Sequence, residues 1–142
     1  MQNIILALAI ILLTSITSMA QCDKKVKWQA SRAEMLDESG NVMDKKEGTI
    51  QVTTDSKNIV LEIAENPNDK LEGTVSESSC DWTEAFKTGK SSFKATMIRV
   101  DGKSSGGTFS VEGKDGKLVI HVQLDVMQGK KVLIYVDKYE II

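Results

Sequence analysis

Two cysteines, one histidine and a scatter of carboxylates are the side chains here whose types could do covalent or acid–base chemistry. Cys22 follows closely on the apolar run "IILALAIILL" (Ile4 to Leu13), and Cys80 lies mid-chain. A lipid-bearing thioether at Cys22 would need a small residue immediately before it for the processing peptidase, and the stretch reads "MAQC" with Gln21 there. Lipid anchoring at Cys22 is therefore a minor alternative. A reactive thiol would need a partnered base, which the surrounding sequence does not display. The remaining chemistry is oxidation, and the expectation is a Cys22–Cys80 disulfide, the simplest use of two cysteines in an exported chain. Closing so long a loop would destabilise the unfolded ensemble by about 4 kcal/mol.

Other constellations supply less. His121 is the sole histidine, which excludes multi-histidine metal sites and leaves little room for a histidine-based triad. It falls in "KLVIHVQLDV" on the same face as Gln123 and Asp125, a placement that fits a solvent-facing side chain. "GKS" occurs at Gly89-Lys90-Ser91 and again at Gly102-Lys103-Ser104, yet the glycine that a phosphate loop requires five residues upstream is replaced by Glu84 and Met97. "DESGNVMD" (37–44) lacks the calcium-loop pattern. Asp125 and Asp137 could face each other across paired strands only if the register allowed it. No catalytic residue, metal site or cofactor is assigned, and the expectation is a non-enzymatic protein.

The elements that carry these residues begin after the opening segment. The apolar run is about ten residues long, which suits a signal peptide and is too short for a bilayer-spanning helix. Ser18-Met19-Ala20 supplies small residues at the positions a signal peptidase accepts, although "MQN" brings no Lys or Arg. The expected organisation is a signal peptide over 1–20 and a single domain over 21–142, exported to the periplasm or the extracellular space, with no stable membrane insertion after cleavage. All 18 basic and 20 acidic residues lie in the second part, for a net charge of −2. Without a basic stripe interleaved with aromatics, nucleic acid is not an expected partner.

Within 21–142, short β-prone runs alternate with turn signals such as "DSKN", "NPND", "DGKSSGG", "KDG" and "QGK". Eight strands are expected at about 26–35, 47–54, 58–65, 70–78, 91–101, 107–113, 117–126 and 131–141, antiparallel because the connections are short. In "KLVIHVQLDV", Leu118, Ile120, Val122, Leu124 and Val126 share one face; in "IVLEIAE", Ile59, Leu61 and Ile63 do so. "CDWTEAFKTGK" (80–90) breaks the rhythm. Asp81 and Glu84 have capping-box spacing, Gly89 is a helix stop, and Trp82 and Phe86 would share a helical face. This predicts one short helix laying its aromatic face over the end of the core near Cys80. The fold class is all-β, an up-and-down barrel of about eight antiparallel strands, with a Greek-key β-sandwich as the alternative.

With Trp28 near the start of the first strand, the chain resembles the calycin group of barrels, which includes lipocalins and fatty-acid-binding proteins. The stretch "KVKW" carries Val26 where lipocalins place a glycine, and the last strand offers Lys138 where they bring an arginine over the tryptophan. The resemblance implies carriage of an apolar ligand inside the barrel, or inhibition of a partner protein. The ligand-lining residues expected are Trp28, Trp82, Phe86 and Tyr135, aromatic side chains placed near the expected barrel ends in a chain with seven aromatics. The alternative function is a cell-envelope interaction or inhibitor module working through surface loops such as 101–107 or 37–44.

Overall fold

A computed structural model describes residues 22–142; the expected signal segment, 1–20, lies outside them. Eight strands run through the described chain: β1 (Val26–Leu36), β2 (Val42–Thr54), β3 (Asn58–Ile63), β4 (Leu71–Glu84), β5 (Thr88–Arg99), β6 (Ser104–Lys114), β7 (Lys117–Leu124) and β8 (Lys131–Ile141). Each pairs antiparallel with the next, and β8 returns to pair with β1. This is a closed up-and-down barrel. Strictly sequential neighbours exclude the Greek-key alternative, and closure leaves no full-length sheet edge to recruit other chains.

Period-two alternation explains the interior. Val26, Trp28 and Ala30 on β1 point in, as do Ile50, Val52 and Thr54 on β2 and Ile59 and Leu61 on β3. Leu118, Ile120 and Val122 on β7 face Phe109 and Val111 on β6, and Phe93 stands directly opposite Phe109. Thr54 is the one polar side chain in its row, and its hydroxyl accepts from Trp28 Nε1 at 3.0 Å, which satisfies both buried groups.

Several boundaries differ from the sequence expectation. No helix forms over residues 80–90. Strand β4 continues to Glu84, a tight turn follows, and β5 starts at Thr88. Cys80 and Trp82 keep the strand alternation, pointing inward, while Asp81 sits opposite Lys90. The capping-box spacing is a coincidence of turn composition. Gly89, read as a helix stop, instead lies at φ +144° against the Asp81 carbonyl and the Trp82 backbone, where a Cβ would sit 2.3 and 2.5 Å from them. Strand β2 begins at Val42, earlier than expected, because its exposed first half pairs with the upper half of β1. Strand β7 ends at Leu124; Asp125–Met127 forms a 3-10 turn that puts Val126 in solvent rather than in the core.

Alternating strand direction sorts the connections into two ends. Residues 55–57, 85–87 and 115–116 gather at one end with the segment from Cys22. Residues 37–41, 64–70, 100–103 and 125–130 gather at the other. Among the described residues no helix is long and apolar enough to cross a membrane.

Candidate functional site

The two ends are filled differently. At the first, Phe86 sits in the β4–β5 turn with φ 53°, in the left-handed region, and inserts its ring into the barrel end. Its ring packs edge-on to Trp28 at 5.3 Å and to Trp82 at 5.4 Å, and Tyr139 joins at 5.3 Å from Phe86 and 5.6 Å from Trp28. Such edge-to-face arrays are favoured by the ring quadrupoles. A disulfide links Cys22 to Cys80, with Cα atoms 5.6 Å apart, and ties the incoming chain to this end. The Ser91 hydroxyl donates to Cys80 Sγ at 3.2 Å and accepts from Trp82 Nε1 at 2.8 Å. The Cys22 sulfur is consumed by the bridge, so it cannot also carry a thioether-linked lipid. This end is a plug.

Three of the four expected ligand-lining aromatics, Trp28, Trp82 and Phe86, therefore lie together, buried against one another. Tyr135 is elsewhere. It faces outward from β8, where its hydroxyl donates to Glu34 at 2.7 Å and the Arg32 guanidinium stacks 4.2 Å above its ring. Lys138 does not cover Trp28; it is exposed, and Tyr139 takes that place.

At the opposite end the barrel opens into a cavity of about 440 Å³, within the range of small-molecule sites. Its floor is Ala33, Ile50, Leu61 and Ile134, and its walls include Ile63, Leu71, Leu124 and Val132. None of the chain's Trp, Tyr or Phe side chains lines it. The space exists because the aromatic bulk is spent on the middle and plugged layers, whereas the upper layer carries aliphatic residues and one alanine. Val126 and Met127, delivered by the 3-10 turn after β7, border the opening.

The rim is charged. Lys46 on β2 reaches across to Asp69 at 2.6 Å, Lys70 pairs with Glu72 at 2.7 Å and Glu62 at 3.5 Å, and Arg99 stands at the end of β5. The hydrogen bond from Lys46 holds the Asp69 carboxyl below its ordinary range, and Glu72 raises the Lys70 ammonium above its own. Glu65 accepts from the Thr49 backbone N–H at 3.0 and 3.1 Å, closing part of the β2 edge above the point where β3 stops pairing. Those amide bonds lower the Glu65 carboxyl. Five of the exposed large apolar residues, Val42, Met43, Ile98, Val100 and Val126, belong to this end too.

The other sequence candidates do not assemble into chemistry. His121 projects outward, Nε2 3.2 Å from Glu112, whose second oxygen receives Lys90 at 3.0 Å. Burial lowers the imidazole below its ordinary value, and Lys131 and Lys90 act in the same direction against Glu112. Asp125 is in the open-end turn and Asp137 follows Val136, the partner of Leu118 at the other end of β7, so the two carboxylates are not paired. A larger open trough of about 640 Å³ lies on the outer wall over Gly106 and Gly107, rimmed by Lys94, Gln123 and Asp125; its floor is strand backbone rather than an apolar pocket. Among the described residues no group of three or more His, Cys, Asp or Glu side chains converges. No family model matches the chain, and comparison with curated proteins and with solved structures finds no match.

Proposed function

We propose that this protein is an exported, non-enzymatic carrier that holds a small apolar or amphipathic molecule in the open end of the barrel. The observation that carries the reading is a cavity with an aliphatic floor and a charged rim at one end of a barrel whose other end is plugged. The disulfide fits an oxidising compartment outside the cytosol, and the closed eight-stranded architecture fits the calycin resemblance, with which ligand carriage would agree. The contacts assigned to the ligand are Ala33, Ile50, Leu61 and Ile134 at the floor, in place of the buried aromatic set.

Filling the cavity tests this. The Ala33→Phe variant should fold, because its new ring enters existing space, and should bind a neutral fluorescent reporter such as N-phenyl-1-naphthylamine at least about tenfold more weakly than wild type. Saturable reporter binding that Ala33→Phe leaves unchanged would remove the cavity from the account. Mass spectrometry under native conditions, on protein taken from its own source, should then show a retained small molecule.

A second reading is favoured by one observation: exposed apolar residues collect on the open-end connections. A cell-envelope protein could dock there, using the 37–41 and 100–103 loops. In that case Val100→Asp and Met43→Asp would abolish partner capture while leaving reporter binding intact.

A further inference from the structure

We infer that the trough on the outer wall, over Gly106 and Gly107, is a ligand site distinct from the barrel interior and takes a neutral saccharide of one or two rings. It stands whether or not the interior carries a ligand. The two glycines are there for different reasons. At Gly107 a Cβ would lie 2.5 Å from the Gln123 carbonyl oxygen, so the close approach of β6 to β7 demands glycine. At Gly106 a Cβ would meet only the Asp125 carboxyl group, with Oδ2 at 2.9 Å, the far end of a side chain that can turn aside. Its backbone is not in the left-handed region either. Packing therefore leaves Gly106 unexplained, although glycine inside a strand weakens it and commonly marks close approach by a ligand or another backbone. No such backbone lies over Gly106. What its missing side chain creates is a trough of about 640 Å³, the size of a small-molecule site.

The groups around that floor select the ligand. Thr108 stands between Lys94 and Gln123 in one rank across β5, β6 and β7, and Thr96 is directly opposite Gly106. The Asp125 carboxylate lies over the floor and pairs with no cation among the described residues. Lys94, the one cation lining the trough, is engaged by Glu77 at 3.1 Å. An anion would therefore meet Asp125 with no free positive charge to balance it, and one carboxylate is too few ligands for a metal ion. An apolar molecule would find only Ala95 and Leu124. A carboxylate accepts hydrogen bonds, whereas threonine hydroxyls and a carboxamide both donate and accept. Sugar hydroxyls answer each of them. An adjacent pair donates to the two oxygens of Asp125, and others exchange hydrogen bonds with Thr96, Thr108 and Gln123. The ring lies flat against the Gly106 backbone, where any side chain would hold it off.

The test is titration of isotopically labelled protein with cellobiose, lactose and maltose, and with glucuronate as the charged control, followed through backbone amide signals. At least one of the three disaccharides should give saturable shifts centred on Thr96, Gly106, Thr108 and Gln123, and glucuronate should give none. Gly106→Val should fold with an unchanged or higher thermal midpoint, because a β-branched residue suits an outward strand position, and should lose the binding. Asp125→Asn, a change at an exposed residue, should weaken it about tenfold, the scale of charged hydrogen bonds lost; it keeps the test decisive if Gly106→Val does not fold. Ala33→Phe, which fills the barrel cavity, should leave saccharide binding unchanged. No saturable shift with any of the disaccharides, equal binding of glucuronate, or binding that survives Asp125→Asn or is lost in Ala33→Phe overturns the inference. None of those outcomes touches the carrier reading, which rests on the reporter.

Discussion

Ser91 shows how much a single small side chain can hold. Its hydroxyl is the acceptor for Trp82 Nε1, and both groups are buried. Ser91→Ala leaves the indole N–H with no partner in the plug and should cost about 1–3 kcal/mol, seen as a lower urea midpoint at unchanged slope. Adding Trp82→Phe to that variant removes the stranded donor and should recover part of the loss; a further loss equal to the sum of the singles would show that the bond is not what couples them. His121 makes a different prediction. Its folded value lies below the ordinary 6.5 chiefly because of burial, opposed by Glu112 and reinforced by Lys131 and Lys90. Between that lowered value and 6.5 the unfolded chain binds the proton and the native chain does not, so stability rises with pH across this window and is lost as pH falls through it. Urea unfolding between about pH 5 and 7 should show the wild-type advantage over His121→Gln growing with pH; an advantage that shrinks as pH rises would reverse the assignment.

At the level of elements, the β4–β5 hairpin is where sequence and structure part. Strands β3 and β7 were legible because alternating aliphatic residues need no tertiary context to be read, and β8 because its opening run "VLIYV" is continuously apolar and β-prone. The stretch Cys80–Gly89 was not, since Asp81 with Glu84 and Trp82 with Phe86 satisfy helical spacing while Cys80 with Trp82 satisfies strand spacing. Pairing with β5 decided between them, and pairing is a long-range fact. Even so, Trp82 and Phe86 do close the core beside Cys80, the first carried by strand β4 and the second by the turn after it instead of by a helix. The first half of β2, "VMDKKE", has no buried residue to reveal it and is strand only because β1 extends alongside. Gly89 is the position where the hairpin leaves no room for substitution. Gly89→Ala combines a positive φ with a contact on backbone atoms and should destabilise by about 3 kcal/mol; a neutral change by thermal unfolding would mean the hairpin is not packed as described.

Taken as a whole, the molecule is a tube stapled and plugged at one end and left hollow at the other. The staple closes a separation of 58 residues, and replacing both cysteines by serine should remove about 4 kcal/mol through the unfolded ensemble, measured as a fall in the denaturant midpoint against the oxidised protein. A midpoint that does not move would mean the bridge does not constrain the unfolded chain. The cavity was beyond reach of the sequence, because Lys46, Asp69, Arg99 and Ile134 come from four separate segments and meet only once strand tilt and register are set. The aromatic residues drew attention first, yet they do the plugging, and plain aliphatic positions make the space. The most direct test is a titration of isotopically labelled protein with decanoate followed by nuclear magnetic resonance. The account predicts saturable shifts at the methyl groups of Ile50, Leu61 and Ile134, with the indole N–H signals of Trp28 and Trp82 unmoved. Shifts centred on the two indoles, or no saturable shift at all, would contradict it.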